Sequence, residues 1–166
     1  MKRLVAIAAL VAVPTLFGAP AFAASSAAAS KIPSATVAAG YETEVVRLTN
    51  VQRTAHGCAA LRIDDRLITA ARAHSSDMIA ENFFSHTGSN GSNFVDREAA
   101  AGYPRKSASA ENIAWGYRTP ADVVNAWMHS AGHRANILNC ASKAVGVGVA
   151  YTGGGAPYWT QDFGRS

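Results

Sequence analysis

Two periodicities divide this chain, a helical one in its first two thirds and a two-residue one near its end. At residues 41–56 the apolar side chains Val45, Leu48 and Val51 recur at helical spacing, and Gly57 supplies a stop. Asp64 or Asp65 is placed to cap a second helix running to about Asn82, with Leu67, Ala71, His74 or Ser75, and Met78 on one face. A short third helix fits residues 93–101 and is closed by Gly102. Thr119 and Pro120 put a capping hydroxyl before a proline at the first helical position. They open a fourth helix that carries Val123, Val124 and Trp127 and ends at Gly132.

The strands are fewer. Residues 112–116 form a short candidate. Val145, Val147 and Val149 alternate with Gly146, Gly148 and Ala150, giving one bulky face and one nearly bare face against which a helix backbone can pack closely. The turn at residues 152–155 leads into residues 158–163 and predicts a C-terminal hairpin. Helices flanking so few strands predict an α+β fold, with a small antiparallel sheet covered by helices.

The N-terminus follows neither pattern. Lys2 and Arg3 precede an apolar stretch from Leu4 to Phe17, and Ala21-Phe22-Ala23 offers small residues at both key positions of a cleavage site. About 14 apolar residues fall short of the roughly 20 needed to span a bilayer. Residues 1–23 are therefore expected to be an export signal, residues 24–40 an Ala/Ser-rich flexible spacer, and residues 41–166 the folded domain. No stable membrane span is expected, and the protein is expected to be secreted, outside the cell or associated with its wall. Export favours a disulfide between the two cysteines, Cys58 and Cys140.

Composition narrows the partners. The chain has 166 residues, 49% hydrophobic and 16% charged, which suits one compact domain and excludes a disordered polyelectrolyte. Setting aside Lys2 and Arg3 leaves 13 of the 15 basic residues against 11 acidic ones. These are spread singly along the chain, so no nucleic-acid partner is expected.

Zinc-protease, nucleophile-elbow, phosphate-loop and EF-hand motifs are all absent from the sequence. His86 stands beyond the Phe83-Phe84 anchor, where a fixed backbone and a free imidazole suit a ligand or a general base. Glu111 opens an apolar strand, a position that desolvates a carboxylate. His133 follows the fourth helix. His74 reads as a hydrogen-bonded packing residue. Trp115, Trp127 and Trp159 read equally as core or as the lining of an apolar pocket.

Six segments in order resemble the CAP superfamily (cysteine-rich secretory proteins, antigen 5 and pathogenesis-related 1, the SCP domain), in its short bacterial secreted branch. They are Leu48-Thr49-Asn50 with Arg53, Ala73-His74-Ser75-Ser76-Asp77-Met78, Phe84-Ser85-His86, and Glu111-Asn112-Ile113-Ala114-Trp115-Gly116. The last two are the run from Trp127 through Gly132-His133-Arg134 to Leu138, and Tyr158-Trp159-Thr160-Gln161-Asp162-Phe163. The resemblance implies an α-β-α sandwich with a surface cleft. In the family's fuller form two histidines and two glutamates meet there, often able to hold a divalent metal. His86 and Glu111 match the first histidine and first glutamate, whereas Ser130 and Tyr158 stand at the other two positions.

A zinc site wants at least three protein ligands, so a divalent metal (Zn²⁺, Mg²⁺ or Ca²⁺) here would need His133 beside His86 and Glu111. None is required by the sequence. The incomplete tetrad favours binding of an extracellular ligand or partner, such as cell-wall material or lipid. The alternatives are a hydrolase of peptide or cell-wall substrates, metal-assisted or not, in which His86, Glu111 and His133 are the catalytic candidates, and a lipid or sterol carrier.

Overall fold

The computed structural model describes residues 31–166. The export signal expected at residues 1–23 and the first part of the expected spacer lie outside the described residues.

Helix α1 spans Ala35–Ala55 and starts six residues before Tyr41. Ser34 caps it by accepting a hydrogen bond from the Val37 amide, and the alanines that follow favour the helix. Residues 35–40, expected to belong to the spacer, are therefore helical. The inner face of α1 also differs from the apolar pattern: Glu42, Val45, Val46, Thr49 and Arg53 are buried, whereas Val51 is 48% exposed. Polar residues take inner positions because each finds a partner there.

Strand β1 is Arg62–Ile63, α2 is Asp65–Ala80 capped by Asp64, and α3 is Phe94–Ala100 with a capping box between Asn93 and Asp96. Strand β2 covers Ala108–Trp115. Helix α4, Pro120–His129, ends earlier than Gly132 because Ser130 turns to extended backbone and opens α5, Ala131–Ile137. His133 thus lies on a helix of its own. Strands β3 (Ala144–Tyr151) and β4 (Pro157–Gly164) form the expected hairpin.

The sheet has the order β1-β3-β4-β2. Its three long strands are antiparallel, but β1 pairs with β3 in parallel, so the sheet is mixed rather than purely antiparallel. Against one face, α2 lies so close that a Cβ on Gly146 would sit 2.2 Å from the Ile68 nitrogen, and one on Gly148 would sit 2.2 Å from the Arg72 nitrogen. The bare strand face predicted for this approach is the face used. On the other face Val145, Val147, Val149, Trp159 and Phe163 pack with Val45, Val46, Val123, Val124 and Trp127. Full burial of each such aliphatic side chain contributes about 1.5–3 kcal/mol.

Polar side chains close the seams. Glu42 accepts from the Val149 amide at 3.0 Å and pairs with Arg72, serving a stretch of β3 that the two-residue β1 does not reach. On β2, an edge strand, the Glu111 carbonyl accepts from Asn136 Nδ2 and the Ile113 carbonyl from Trp127 Nε1. Cys58 and Cys140 are disulfide-bonded. Beside them the wholly buried Arg53 donates to the carbonyls of Ala59, Ile137, Asn139 and Ser142, and burial lowers its pKa.

Candidate functional site

Glu111 sits where β2, α2 and α3 converge. Its register partner on β4 is Asp162, which in turn faces Gly146 of β3, so the two carboxyls lie in one row across the α2 side of the sheet. The absent side chain at Gly146 lets α2 descend and roof that row. Glu111 is 5% exposed, and both its oxygens are engaged. Oε1 lies 2.7 Å from His86 Nδ1, and Oε2 accepts from an Arg97 guanidinium nitrogen at 2.6 Å. His74 approaches Oε2 at 3.9 Å.

The sequence already points to His86 and Glu111, and the fold brings them together. The His86 ring is 56% exposed, so its Nδ1 faces the buried carboxylate while much of the imidazole faces solvent. Its loop is pinned from two helices: Asp77 of α2 accepts from the amide and hydroxyl of Ser89, and Arg97 of α3 donates to the His86 carbonyl. His74, expected to be a packing residue, is wholly buried, bonds the Ser85 carbonyl at 2.9 Å and packs against Phe83. Desolvation lowers its pKa, against the pull of Glu111.

Three further residues complete the environment and were not singled out from the sequence. Arg97 supplies the countercharge to Glu111. Glu98 and Asp162 are wholly buried, and none of their carboxyl oxygens has a hydrogen-bond partner. Burial first, then the charge of Glu111, raises Glu98 to about 8. The same causes, with Glu98 added, push Asp162 well above the ordinary carboxylate range. Both buried acids thus hold their protons more tightly than ordinary carboxyls, beside the Arg97-paired Glu111. A buried like-charge group is relieved most cheaply by keeping its proton. Period-two alternation on β4 was the signal that would have found Asp162, two residues from the buried Thr160. Arg97 and Glu98 carry no such signal, because a seven-residue helix barely separates its faces.

Two hollows flank this cluster along β2. A pocket of 340 Å³ is lined by His86, Phe94, Ser109, Ala110, Glu111 and Asn136. Beyond it a groove of 290 Å³ runs between Phe84, Trp115, Tyr117, Trp127, Ser130 and His133. Trp115, Phe84 and Tyr117 are 57%, 52% and 41% exposed. Tyr158 joins two of them, with ring centroids 6.3 Å from Phe84 and 6.1 Å from Trp115. His133 is partly buried, and desolvation, then the charge of His86, lowers its pKa. Trp127 and Trp159 are core residues, Trp127 also lining the groove, whereas the exposed Trp115 belongs to the groove alone.

The metal set expected from the sequence, His86 with Glu111 and His133, does not fit a metal ion. Among the described residues no group of three or more His, Cys, Asp or Glu is arranged to hold one. The physical reason is that both oxygens of Glu111 are already engaged, by His86 and Arg97, while Ser130 and Tyr158 stand at the other two family positions.

Residues 46–163 match the CAP family, described as the cysteine-rich secretory protein family. The chain is 42% identical to the YkwD protein of Bacillus subtilis over 145 residues, which is 87% of this chain and 54% of that protein. A crystal structure of an extracellular protein containing a SCP domain from Bacillus anthracis superposes with a TM-score of 0.72 at 31% identity, covering 78% of this chain and 42% of that one. An outer surface protein of Borrelia burgdorferi shares the fold with a TM-score of 0.66 at 22% identity, covering 74% and 90%. The chain spans about half the length of the two Bacillus relatives. The ordered sequence segments, the mixed sheet between helical layers and these likenesses agree: the chain belongs to the CAP family of cysteine-rich secretory proteins.

Proposed function

We propose that this CAP domain works outside the cytoplasm as a binding module, taking a cell-envelope component into the cleft along β2. The observation that carries this reading is the replacement of two charged family positions by Ser130 and Tyr158. Tyr158 bridges Phe84 and Trp115, so a half-site for charge has become an aromatic wall. Concave, mostly apolar hollows with a few convergent polar groups are the usual form of ligand sites. Here the polar groups are His86, Ser130 and His133. The disulfide suits an oxidising compartment, and among the described residues no helix is long and apolar enough to cross a membrane.

The test is retention of the purified protein on isolated cell-wall sacculi. Trp115→Ala removes an exposed ring, so folding is expected to survive and retention to fall about tenfold, a loss of about 1.4 kcal/mol. Unchanged retention in Trp115→Ala, or none in the parent protein, overturns the reading.

A hydrolytic reading rests on one specific observation. A buried carboxylate held against Nδ1 of a half-exposed imidazole is the arrangement that orients a general base. Release of soluble wall fragments that stops in His86→Ala would favour it. A carrier role would be marked instead by lipid that co-purifies with the protein.

A further inference from the structure

Cations that are scattered in the sequence are gathered by the fold at one end of the sheet. The row Arg62, Ala144, Gly164 and Ala108 runs across all four strands. One residue beyond it lie Lys143 at the start of β3 and Arg165 at the end of β4, and the Lys143 amide donates to the Gly164 carbonyl at 2.7 Å. The Arg165 amide donates at 2.7 Å to the carbonyl of Ser107, which brings in Lys106 and Arg105 from the turn before β2. Arg66 stands nearby at the first turn of α2, its guanidinium carbon 5.0 Å from the centre of the Tyr103 ring.

Carboxylates answer only part of this charge. Asp64 pairs with Arg62 and Arg66, and Asp96 pairs with Arg105. Lys106, Lys143 and Arg165 are exposed, and among the described residues none of them makes an ion pair. A lysine at the edge of a sheet guards against strand pairing. Lys143 and Arg165 instead adjoin the ends of the two central strands, where no edge needs guarding. Cations crowded without countercharge raise the local potential and attract anions.

We propose that this end of the sheet is a docking surface for a linear phosphodiester polymer. Adjacent strands are about 4.8 Å apart, so four strand ends present cations over about 14 Å, room for two or three successive phosphates of an extended chain. Among the described residues the surface offers no exposed aromatic ring for stacking bases and only Ile63, 46% exposed, as a large apolar group for a bilayer. A charged, flexible, non-aromatic polymer is the partner that remains. Strand β2 begins two residues after Lys106 and runs past the pocket at Glu111 to Trp115, so the basic end and the cleft lie along one strand.

The experiment is titration of the purified chain with soluble poly(glycerol phosphate) at several salt concentrations. Two charge-matched triple variants are compared: Lys106→Glu/Lys143→Glu/Arg165→Glu and Lys31→Glu/Arg47→Glu/Arg134→Glu. The parent protein should bind with a log–log salt slope of about −2, from about −0.7 per phosphate over two to three contacts. The first variant should lose binding at least tenfold and flatten the slope, whereas the second should stay within about threefold. Thermal unfolding followed by circular dichroism checks that both variants fold; if the first does not, Lys143→Gln/Arg165→Gln takes its place. Equal losses in the two variants would mean net charge alone is read, and overturn the proposal. So would tighter binding to phosphatidylglycerol vesicles than to the polymer, which would mark a membrane surface.

Discussion

His86 Nδ1 and Glu111 Oε1 lie 2.7 Å apart, one ring half in solvent and one carboxylate almost wholly enclosed. The contact is unequal in its consequences. Glu111→Gln leaves the Arg97 guanidinium, with its side chain 10% exposed, facing a neutral amide. Stranding a buried charge costs about 3–5 kcal/mol. His86→Ala removes a largely exposed ring and should cost under about 1 kcal/mol, while ligand binding falls. Urea unfolding of both variants checks the contrast; equal costs would mean that Arg97 finds another partner.

The buried acid beside this pair sets a pH dependence. Glu98 titrates at about 8 in the folded state against 4.5 for its ordinary value. Its folded pKa is raised, so between these limits the folded state holds the proton more tightly than the unfolded one. Stability therefore falls as pH rises from 4.5 towards 8, and the Glu98 contribution levels off above that. Asp162 acts with the same sign. Glu98→Gln should make the slope shallower and stabilise the protein by about 2–4 kcal/mol at pH 8, each pKa unit being worth about 1.4 kcal/mol. Thermal unfolding at a series of pH values from 4 to 9 measures it, and an unchanged slope would refute it.

Glycines in this chain should respond in opposite directions. Gly146→Ala and Gly148→Ala place a methyl group 2.2 Å from the backbone of α2, which would have to move away from the sheet. A loss above about 3 kcal/mol, or failure to fold, is expected for overpacking of this severity. Gly40 lies inside α1, and a methyl group added to it would meet nothing within 4 Å. Its substitution by alanine should gain about 0.5–1 kcal/mol. Chemical denaturation of the three variants is sufficient.

Arg53 and the disulfide secure the same junction. The bond joins residues 82 apart, and a loop of that size is worth about 4–5 kcal/mol by chain entropy. Arg53 ties both arms together through carbonyls next to Cys58 and Cys140. Arg53→Lys keeps the charge but cannot span four acceptors, and should cost about 3 kcal/mol. Because reduction frees the arms that Arg53 clamps, the two losses should fall short of additivity by at least about 0.5 kcal/mol, as measured by unfolding with and without reductant.

The sequence made the first four helices, the hairpin, the disulfide and the His86–Glu111 pair readable, since each has a local mark: a cap, an alternation, an even cysteine count, an ordered motif; α5 was missed because Ser130 gives it no side-chain cap. The start of α1 escaped because alanines 35, 38 and 39 carry no amphipathic pattern, although Ser34 marks a cap. Val51 shares the helical spacing of Val45 yet faces solvent, because Thr49 and Arg53 take the inner positions through long-range partners. The neutral acids Glu98 and Asp162 depend on burial created by α2, α3 and β4 together, which no single segment announces. The basic end of the sheet arises likewise from residues that only strand pairing makes neighbours.

Side chains occupy the margins of the sheet. Carbonyls of Glu111 and Ile113 on the outer strand, and the Val149 amide on the other flank, are already spoken for by Asn136, Trp127 and Glu42. At these points an incoming strand from another copy finds no vacant ladder to extend. A protein accumulating at high local concentration is thereby protected from cross-chain aggregation, by three side chains of which two, Asn136 and Trp127, also line the hollows along β2.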